Sequence, residues 1–169
     1  MIFRMIREND TDDFYQMLCR LDEETEYMMY EPGERQLRTN DTERLRSSIE
    51  AAGTGGDLLL GAVKEDGEIV GFIWAERGKL NRILHIAYVG VGIRQEDRRQ
   101  GIGTEFFERL DDWARENGVI RLELTVECEN VNAVKLYEKH GFSKEGIRSG
   151  SMKVNGRLVD EYYMGKIIR

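Results

Sequence analysis

The chain has little of what would make several protein classes easy to recognise. Its two cysteines, Cys19 and Cys128, lie far apart with no Cys-x-x-Cys and no histidine spaced beside them, so neither a disulfide framework nor a zinc site is indicated and a reducing compartment is expected. There is one proline, Pro32, against 18 glycines, so glycine and not proline makes the tight backbone turns. No apolar run approaches the roughly 18 residues that a membrane span needs. The opening residues alternate apolar and charged side chains, unlike a secretory leader. A soluble, cytoplasmic protein with no membrane partner is expected. A basic excess is missing too: 25 Lys and Arg face 32 Asp and Glu, for a net charge of -7. Binding nucleic acid requires a basic face that neutralises several phosphates, so that class drops out and an amine or other cationic substrate is favoured.

What is present is material for a core. Hydrophobic residues make up 40% of the 169-residue chain, and its charged residues, 34%, are interspersed with them and not gathered in blocks. With no repeat or low-complexity linker, the expectation is one domain over residues 1–169. The fold class expected is α/β (α+β): a central mixed, mostly antiparallel sheet flanked by helices. Strands are predicted at residues 2–6, 58–64, 69–77 and 83–93, the middle two joined by the turn Glu65-Asp66-Gly67-Glu68. Asn9-Asp10-Thr11 can cap a helix bearing Phe14, Met17, Leu18 and Leu21, and a second helix fits residues 41–52, ahead of a loop at 53–56. Further on, Gly101 opens a helix with Ile102, Phe106, Phe107, Leu110, Trp113 and Ala114 on one face, closed by Asn117-Gly118. Residues 119–126 alternate, with Ile120, Leu122, Leu124 and Val126 facing one way, which makes a parallel strand-helix-strand crossover. Asn130 can cap a short helix that ends at His140-Gly141-Phe142. Strands near 142–152 and 158–168 flank the turn Asn155-Gly156.

The segment richest in chemistry runs Ile93-Arg94-Gln95-Glu96-Asp97-Arg98-Arg99-Gln100-Gly101-Ile102-Gly103-Thr104. A strand gives way to a glycine-bearing helix start, where free amides and the positive end of the helix dipole suit an anion. The nucleoside-triphosphate loop does not fit, because no Lys-Ser or Lys-Thr follows the second glycine. The dinucleotide fingerprint does not fit either, because Phe106 stands where its third glycine belongs. What remains is Arg98-x-x-Gly101-x-Gly103, followed downstream by Asn130-x-x-Ala133-x-x-Leu136-Tyr137-x-x-x-Gly141-Phe142.

These two motifs, in this order, resemble those of the GCN5-related N-acetyltransferase (GNAT) family, and the likeness spans roughly residues 69–164. The resemblance implies an acyl-CoA N-acyltransferase-like fold, with acetyl-CoA as cosubstrate and no metal. It implies that the pyrophosphate sits on the amides of Arg98, Arg99, Gln100, Gly101, Ile102, Gly103 and Thr104. The pantetheine arm would meet Val91, Gly92 and Ile93 on a strand whose Gly90-Val91-Gly92 suits a bulge. Asn130, with Ala133 in the same motif, would reach the arm, and Tyr137 would stand beside the thioester sulfur as the acid. The acceptor implied is a small-molecule primary amine. A protein N-terminus or lysine, and a non-catalytic acyl-CoA sensor, remain as alternatives, and homodimers are common among look-alikes.

Thioester aminolysis sets its own demands. An alkylammonium with a pKa of about 10.4 is neutral in roughly one molecule in a few thousand at pH 7, so a base or water chain has to take a proton. A strand amide such as that of Ile93 could stabilise the oxyanion. No nucleophile and histidine pairing is visible, which agrees with direct transfer. As bases, His85 in the strand before Gly90 and the carboxylates Glu123, Glu127 and Glu161 stay open, and His140 reads as helix-end chemistry. The acidic run Asp22-Glu23-Glu24-Thr25-Glu26, continuing to Glu31 and Glu34, reads as a solvated face or the lining of a cation groove. Tyr137 beside Val134 also suits a core position, and Cys128 reads as a small hydrophobe.

Overall fold

The computed structural model describes residues 1–38, 41–54 and 56–169; Gly55, in the loop expected at 53–56, lies outside them. The strands are Ile2–Met5 (β1), Leu58–Val63 (β2), Ile69–Arg77 (β3), Ile86–Ile93 (β4), Arg121–Glu127 (β5), Ser143–Val154 (β6) and Arg157–Ile167 (β7). They form one sheet in the order β1-β2-β3-β4-β5-β7-β6. β1 with β2, β2 with β3, β5 with β7 and β6 with β7 are antiparallel, while β4 and β5 are parallel, which is the mixed class expected. The α-helices among the described residues are Thr11–Glu24 (α1), Asp41–Gly53 (α2), Ile102–Glu116 (α3) and Val131–Lys139 (α4). None of them is long and apolar enough to cross a membrane. The chain divides into two compact units, Met1–Glu76 with Gly90–Phe106 and Arg77–Val89 with Phe107–Arg169; β4 and α3 each begin in one and end in the other.

In the first unit, α1 turns Phe14, Met17, Leu18 and Leu21 into a core shared with Ile49 and Ala52 of α2 and with Leu59, Val63, Ile69 and Phe72 of β2 and β3. Phe14 meets Phe72 edge-on at 5.4 Å, and Phe3 meets Phe106 at 5.5 Å, the geometry in which a positive ring edge faces a negative ring face. Asp10 precedes α1 as expected, but its carboxylate turns back to accept from the Arg7 amide at 2.8 Å and from the Arg4 guanidinium at 2.7 and 2.9 Å. The turn between β2 and β3 closes with Gly67 at φ +96 and the Glu68 amide donating to Asp66 Oδ1 at 3.0 Å.

The second unit follows the sequence pattern through its helix ends. After α3, Gly118 has φ +67 and the Val119 amide reaches back to the Ala114 carbonyl at 2.8 Å; after α4, Gly141 has φ +86 and Phe142 donates to Tyr137 O at 3.0 Å. Both are left-handed C-terminal caps with an apolar residue just beyond the glycine. Asn155 and Gly156 both have positive φ, 49° and 79°, between Val154 and Arg157, the twist a two-residue hairpin needs.

Three expectations are corrected. The fourth strand starts at Ile86 and not at residue 83, because Ile83 closes a turn by donating to Leu80 O at 2.8 Å and accepting from the Ile86 amide at 3.0 Å. His85 consequently lies outside the strand and is exposed, with its carbonyl accepting from the Ile120 and Arg121 amides at 2.8 and 3.0 Å. Ile120 does not join the inward row: it precedes β5 and is 52% exposed, while Leu122, Leu124 and Val126 are buried. Trp113, expected in the core stripe of α3, is only half-buried.

Gly90 and Gly92 in β4 have a steric cause. A methyl group on Gly90 would overlap the Trp74 indole, 2.9 Å from Cζ2, and one on Gly92 would come within 2.7 Å of Phe72 Cε1. Two aromatic side chains of β3 occupy the space that Cβ atoms would take. Gly90→Ala is expected to cost about 1–3 kcal/mol, the usual range for overpacking, in denaturant unfolding. In a Trp74→Ala background the same change should cost much less; an equal cost in both backgrounds would rule out the indole as the cause.

Candidate functional site

The first unit contains the glycine loop. β4 ends at Ile93, a single 3-10 turn covers Gln95–Asp97, and α3 begins at Ile102. The Arg94 amide donates to Val70 O on β3 at 2.8 Å, and Gly92 O lies against Gly71 of the same strand. Strand alternation then points the N–H groups of Val91 and Ile93 away from β3. Ile93 O accepts from Arg98 Nε at 3.0 Å, folding that side chain back along the strand end.

Two left-handed residues bend the loop, Arg99 at φ 61 and Gly101 at φ +83. Glycine takes that conformation freely, whereas arginine does so at a cost that its surroundings have to sustain. Open space surrounds the position where a Cβ of Gly101 would stand, and Glu105 N donates to Gly101 O at 3.1 Å, the first turn of α3. The amides of Ile102 and Gly103 in that turn have no acceptor within the helix. Arg98, Arg99, Gln100 and Gly101 are exposed.

Beneath the loop lies a charge network. Arg94, 8% exposed, donates from Nε to Glu24 Oε1 at 2.6 Å, and the Gln95 amide donates to Glu24 Oε2 at 2.7 Å. Glu68 and Glu96 lie 3.7 and 3.4 Å from the same guanidinium. Lys64 joins Glu68 at 2.9 Å and the buried Asp97 at 3.3 Å. Burial works against the charge on Arg94, but the Glu24 bond and its acidic neighbours outweigh it and hold the guanidinium pKa above its ordinary value.

The second unit holds the other motif. Asn130 caps α4 as expected, with Oδ1 accepting from the Ala133 amide at 3.2 Å. One face of α4 places Tyr137, 8% exposed, edge-on to Phe107 at 5.7 Å and near Phe142 at 6.0 Å. Burial first, and then the neighbouring Tyr88, push the Tyr137 phenol well above its ordinary pKa. Tyr88 and Thr125 share a hydroxyl hydrogen bond of 2.7 Å. The β4–β5 register runs from Ile86↔Arg121 to Tyr88↔Glu123 and stops, whereas β5 stays paired with β7 through Glu127↔Glu161.

The sequence profile of the Acetyltransferase (GNAT) family matches residues 11–142. The chain belongs to this family. Among curated relatives, an L-amino acid N-acetyltransferase of Escherichia coli strain K12 is 34% identical over 106 residues, 60% of this chain and 64% of that protein, so the chain spans less than two thirds of that relative. The acetyltransferase of the GNAT family from Streptococcus pneumoniae superposes with a TM-score of 0.91 at 28% identity, covering 99% of both chains. A GNAT phosphinothricin acetyltransferase from Sinorhizobium meliloti, solved in complex with acetyl-CoA, gives a TM-score of 0.85 at 15% identity over 99% of this chain and 88% of that one, which speaks for the fold.

Within this GNAT chain the acidic run divides: Glu23, Glu26 and Glu31 are exposed, as on a solvated face, while Asp22, Glu24 and Glu34 are held by arginines. Asp22, 1% exposed, is paired with Arg35 at 2.7 and 3.2 Å, and Tyr30 lies 4.2 Å from the same guanidinium. Glu24 holds Arg94, and Glu34 bonds the Glu31 amide at 3.0 Å and Arg38 at 2.8 Å. Of the carboxylates considered as bases, Glu123 pairs with Arg121 at 2.9 Å. Glu127 and Glu161 are buried and directly opposite each other on β5 and β7, with Arg148 on Glu161 at 3.0 Å. His140 stacks on Phe107 at 5.1 Å, and burial lowers its pKa. The Cys128 thiol is pushed up by burial, which disfavours a thiolate. Sequence reasoning missed Tyr88 with Thr125, and the Glu24 contact to Arg94. The signal for the second was three acidic residues closing a helix whose last turn contains no basic one.

The raised Tyr137 pKa has a consequence in alkali. Its folded pKa lies above the unfolded value of about 10. The folded state therefore holds the proton more tightly, and the associated stability is present below pH about 10 and lost as pH rises past it. Tyrosinate absorbance should show at least one of the seven tyrosines still protonated until the fold melts. Tyr137→Phe should give a shallower alkaline fall in stability; identical slopes would show that another group sets it.

Proposed function

We propose that this chain is an N-acetyltransferase that moves the acetyl group of acetyl-CoA directly to the primary amine of a small molecule. The observation that carries the reading is the loop of residues 98–104, with left-handed residues at Arg99 and Gly101, open space over Gly101 and first-turn amides of α3 without helical acceptors. Such a main chain fits a pyrophosphate. The N–H groups of Val91 and Ile93, aimed away from β3, suit the amide carbonyls of a pantetheine arm. Family membership supports the reading, as do the L-amino acid acetyltransferase among the relatives and the acetyl-CoA complex among the structural neighbours. The net charge of -7 favours a cationic acceptor.

Acetyl-CoA would supply an acyl carbon already activated as a thioester and a thiolate as leaving group. Arg98 and Arg99 would draw the diphosphate to the loop, and the amides of residues 98–104 would hold it. The Ile93 amide would hydrogen-bond the acyl oxygen as negative charge grows there. Glu127 and Glu161 would attract the ammonium and take its first proton, directly or through water. The C–N bond forms as the C–S bond breaks. Of the two protons the ammonium sheds, one ends on sulfur, where Tyr137 offers its phenolic hydrogen, and the other leaves to solvent.

Calorimetry with coenzyme A, followed by a thiol-release screen over amino acids, polyamines, aminoglycosides and short peptides, tests the reading. Binding with turnover on a small amine supports it, absence of binding at millimolar coenzyme A sinks it, and binding without turnover on any acceptor assigns the chain to a sensing role instead. Tyr137→Phe should lower kcat by about 10²-fold, within the range for general acids, while coenzyme A binding is retained; an unchanged rate at neutral pH removes the acid assignment.

A further inference from the structure

Glu24 stands at an electrostatically awkward place. It ends α1, where Asp22, Glu23 and Glu24 come together and the last turn contains no basic residue, so the negative end of the helix dipole repels all three. Asp22 is satisfied by Arg35. Glu24 is satisfied by two groups from the start of the glycine loop, Arg94 Nε at 2.6 Å and the Gln95 amide at 2.7 Å. Its two oxygens thus fix both a side chain and the main chain where the strand turns into the loop. Arg94, 8% exposed and ringed by Glu24, Glu68 and Glu96, is engaged below the loop and not offered to an anion above it; the exposed Arg98 and Arg99 are the cations left for that.

The loop needs such an anchor. Arg99 sits at φ 61, a conformation that a non-glycine residue keeps only when its flanks are held. Downstream, the flank is α3, entered through Gly101 O and the Glu105 amide. Upstream, the 3-10 turn Gln95–Asp97 is too short to hold itself, and its fixed points are Arg94 N on Val70 O, the Glu24 bridge, and Lys64 on Asp97 at 3.3 Å.

We infer that Glu24, acting through Arg94 and the Gln95 amide, is a positioning residue that sets the diphosphate-binding geometry of the loop without touching the donor. The inference rests on the acetyl-CoA reading above and extends it to a residue on a different element, remote in sequence. Its consequence is selective: Glu24 should matter for a donor that carries the diphosphate and not for one that lacks it.

The test compares acetyl-CoA with S-acetylpantetheine, which has the same thioester and arm but no diphosphate, in wild type, Glu24→Gln and Arg94→Lys. Glu24→Gln keeps the shape and removes the charge; Arg94→Lys keeps the charge and removes the guanidinium fork. Circular dichroism and thermal melting establish that each variant is folded. For both, KM for acetyl-CoA should rise about tenfold or more, equivalent to about 1.4 kcal/mol. kcat at saturating donor should stay within about twofold, and kcat/KM with S-acetylpantetheine should not change. Equal losses on both donors, or no loss on acetyl-CoA, overturn the assignment of Glu24 alone. A wild-type protein with no affinity for coenzyme A removes the parent reading and this one together.

Discussion

The carboxylate of Glu24 is held at the negative end of a helix by a guanidinium and a backbone amide that arrive from the end of β4. Taken singly, each contact is modest. A charge-assisted hydrogen bond contributes about 1.5–3 kcal/mol net, and burying an arginine with its partners costs desolvation that can cancel much of the gain. What the arrangement supplies is geometry. With Arg94 N on Val70 O and Gln95 N on Glu24, the chain leaves the sheet at a fixed point and in a fixed direction. The left-handed Arg99 and Gly101 then bend the exposed loop into the first turn of α3, which Glu105 N closes on Gly101 O. Without that fixed departure the same glycines would describe only a flexible turn.

The path of β4 before that point is constrained just as closely. Phe72 and Trp74 of β3 lie over Gly92 and Gly90, so the strand can follow this course only where it has no side chains on that face. The glycines were expected to mark a bulge that frees amides for a ligand. The structure gives them a packing reason, and the orientation of the Val91 and Ile93 amides follows from alternation about Gly92 and Arg94. Packing and backbone direction are one arrangement here, since the strand that the rings hold close is the one whose alternation sets which way the intervening N–H groups point.

Legibility in the sequence tracked how local each cause was. The ends of α3 and α4, the hairpin at Asn155-Gly156 and the Asn130 cap follow from neighbours within a few positions, and each formed where expected. The inward alternation of β5 held for Leu122, Leu124 and Val126 but not for Ile120, which faces solvent because β5 starts one residue later. The apolar stretch around Ile83 read as strand because its turn is made by backbone bonds that leave no residue signature. In the acidic run after Leu21, Glu23, Glu26 and Glu31 are exposed as a solvated face would be, but Asp22 and Glu24 are not, for a different reason. Whether a carboxylate is solvated depends on which cation reaches it, and Arg35 and Arg94 come from other parts of the chain. In the candidate site, the glycine loop and α4 were readable as spaced motifs; the Tyr88–Thr125 hydrogen bond and the Glu24–Arg94 contact were not, because they arise only once strands and helices are assembled.

Tyr137 occupies a core position, and the chemical role proposed for it is a separate matter from its packing. The edge-on contact with Phe107 and the tilted one with Phe142 account for its burial by packing alone, and burial raises its pKa. A phenol held above its usual pKa of about 10 is a weaker acid than a thiol of about 8.5, so complete transfer of its proton to a departing thiolate runs uphill. The same shift keeps the hydroxyl protonated, and therefore a hydrogen-bond donor, across the whole neutral and mildly alkaline range. In the proposed reaction such a donor, in a site of low dielectric, would stabilise charge developing on sulfur without first separating charge on itself. In the proposed reaction, burial would therefore have Tyr137 meet the leaving group with a hydrogen bond, with the proton crossing late, once the amine has begun to lose its own.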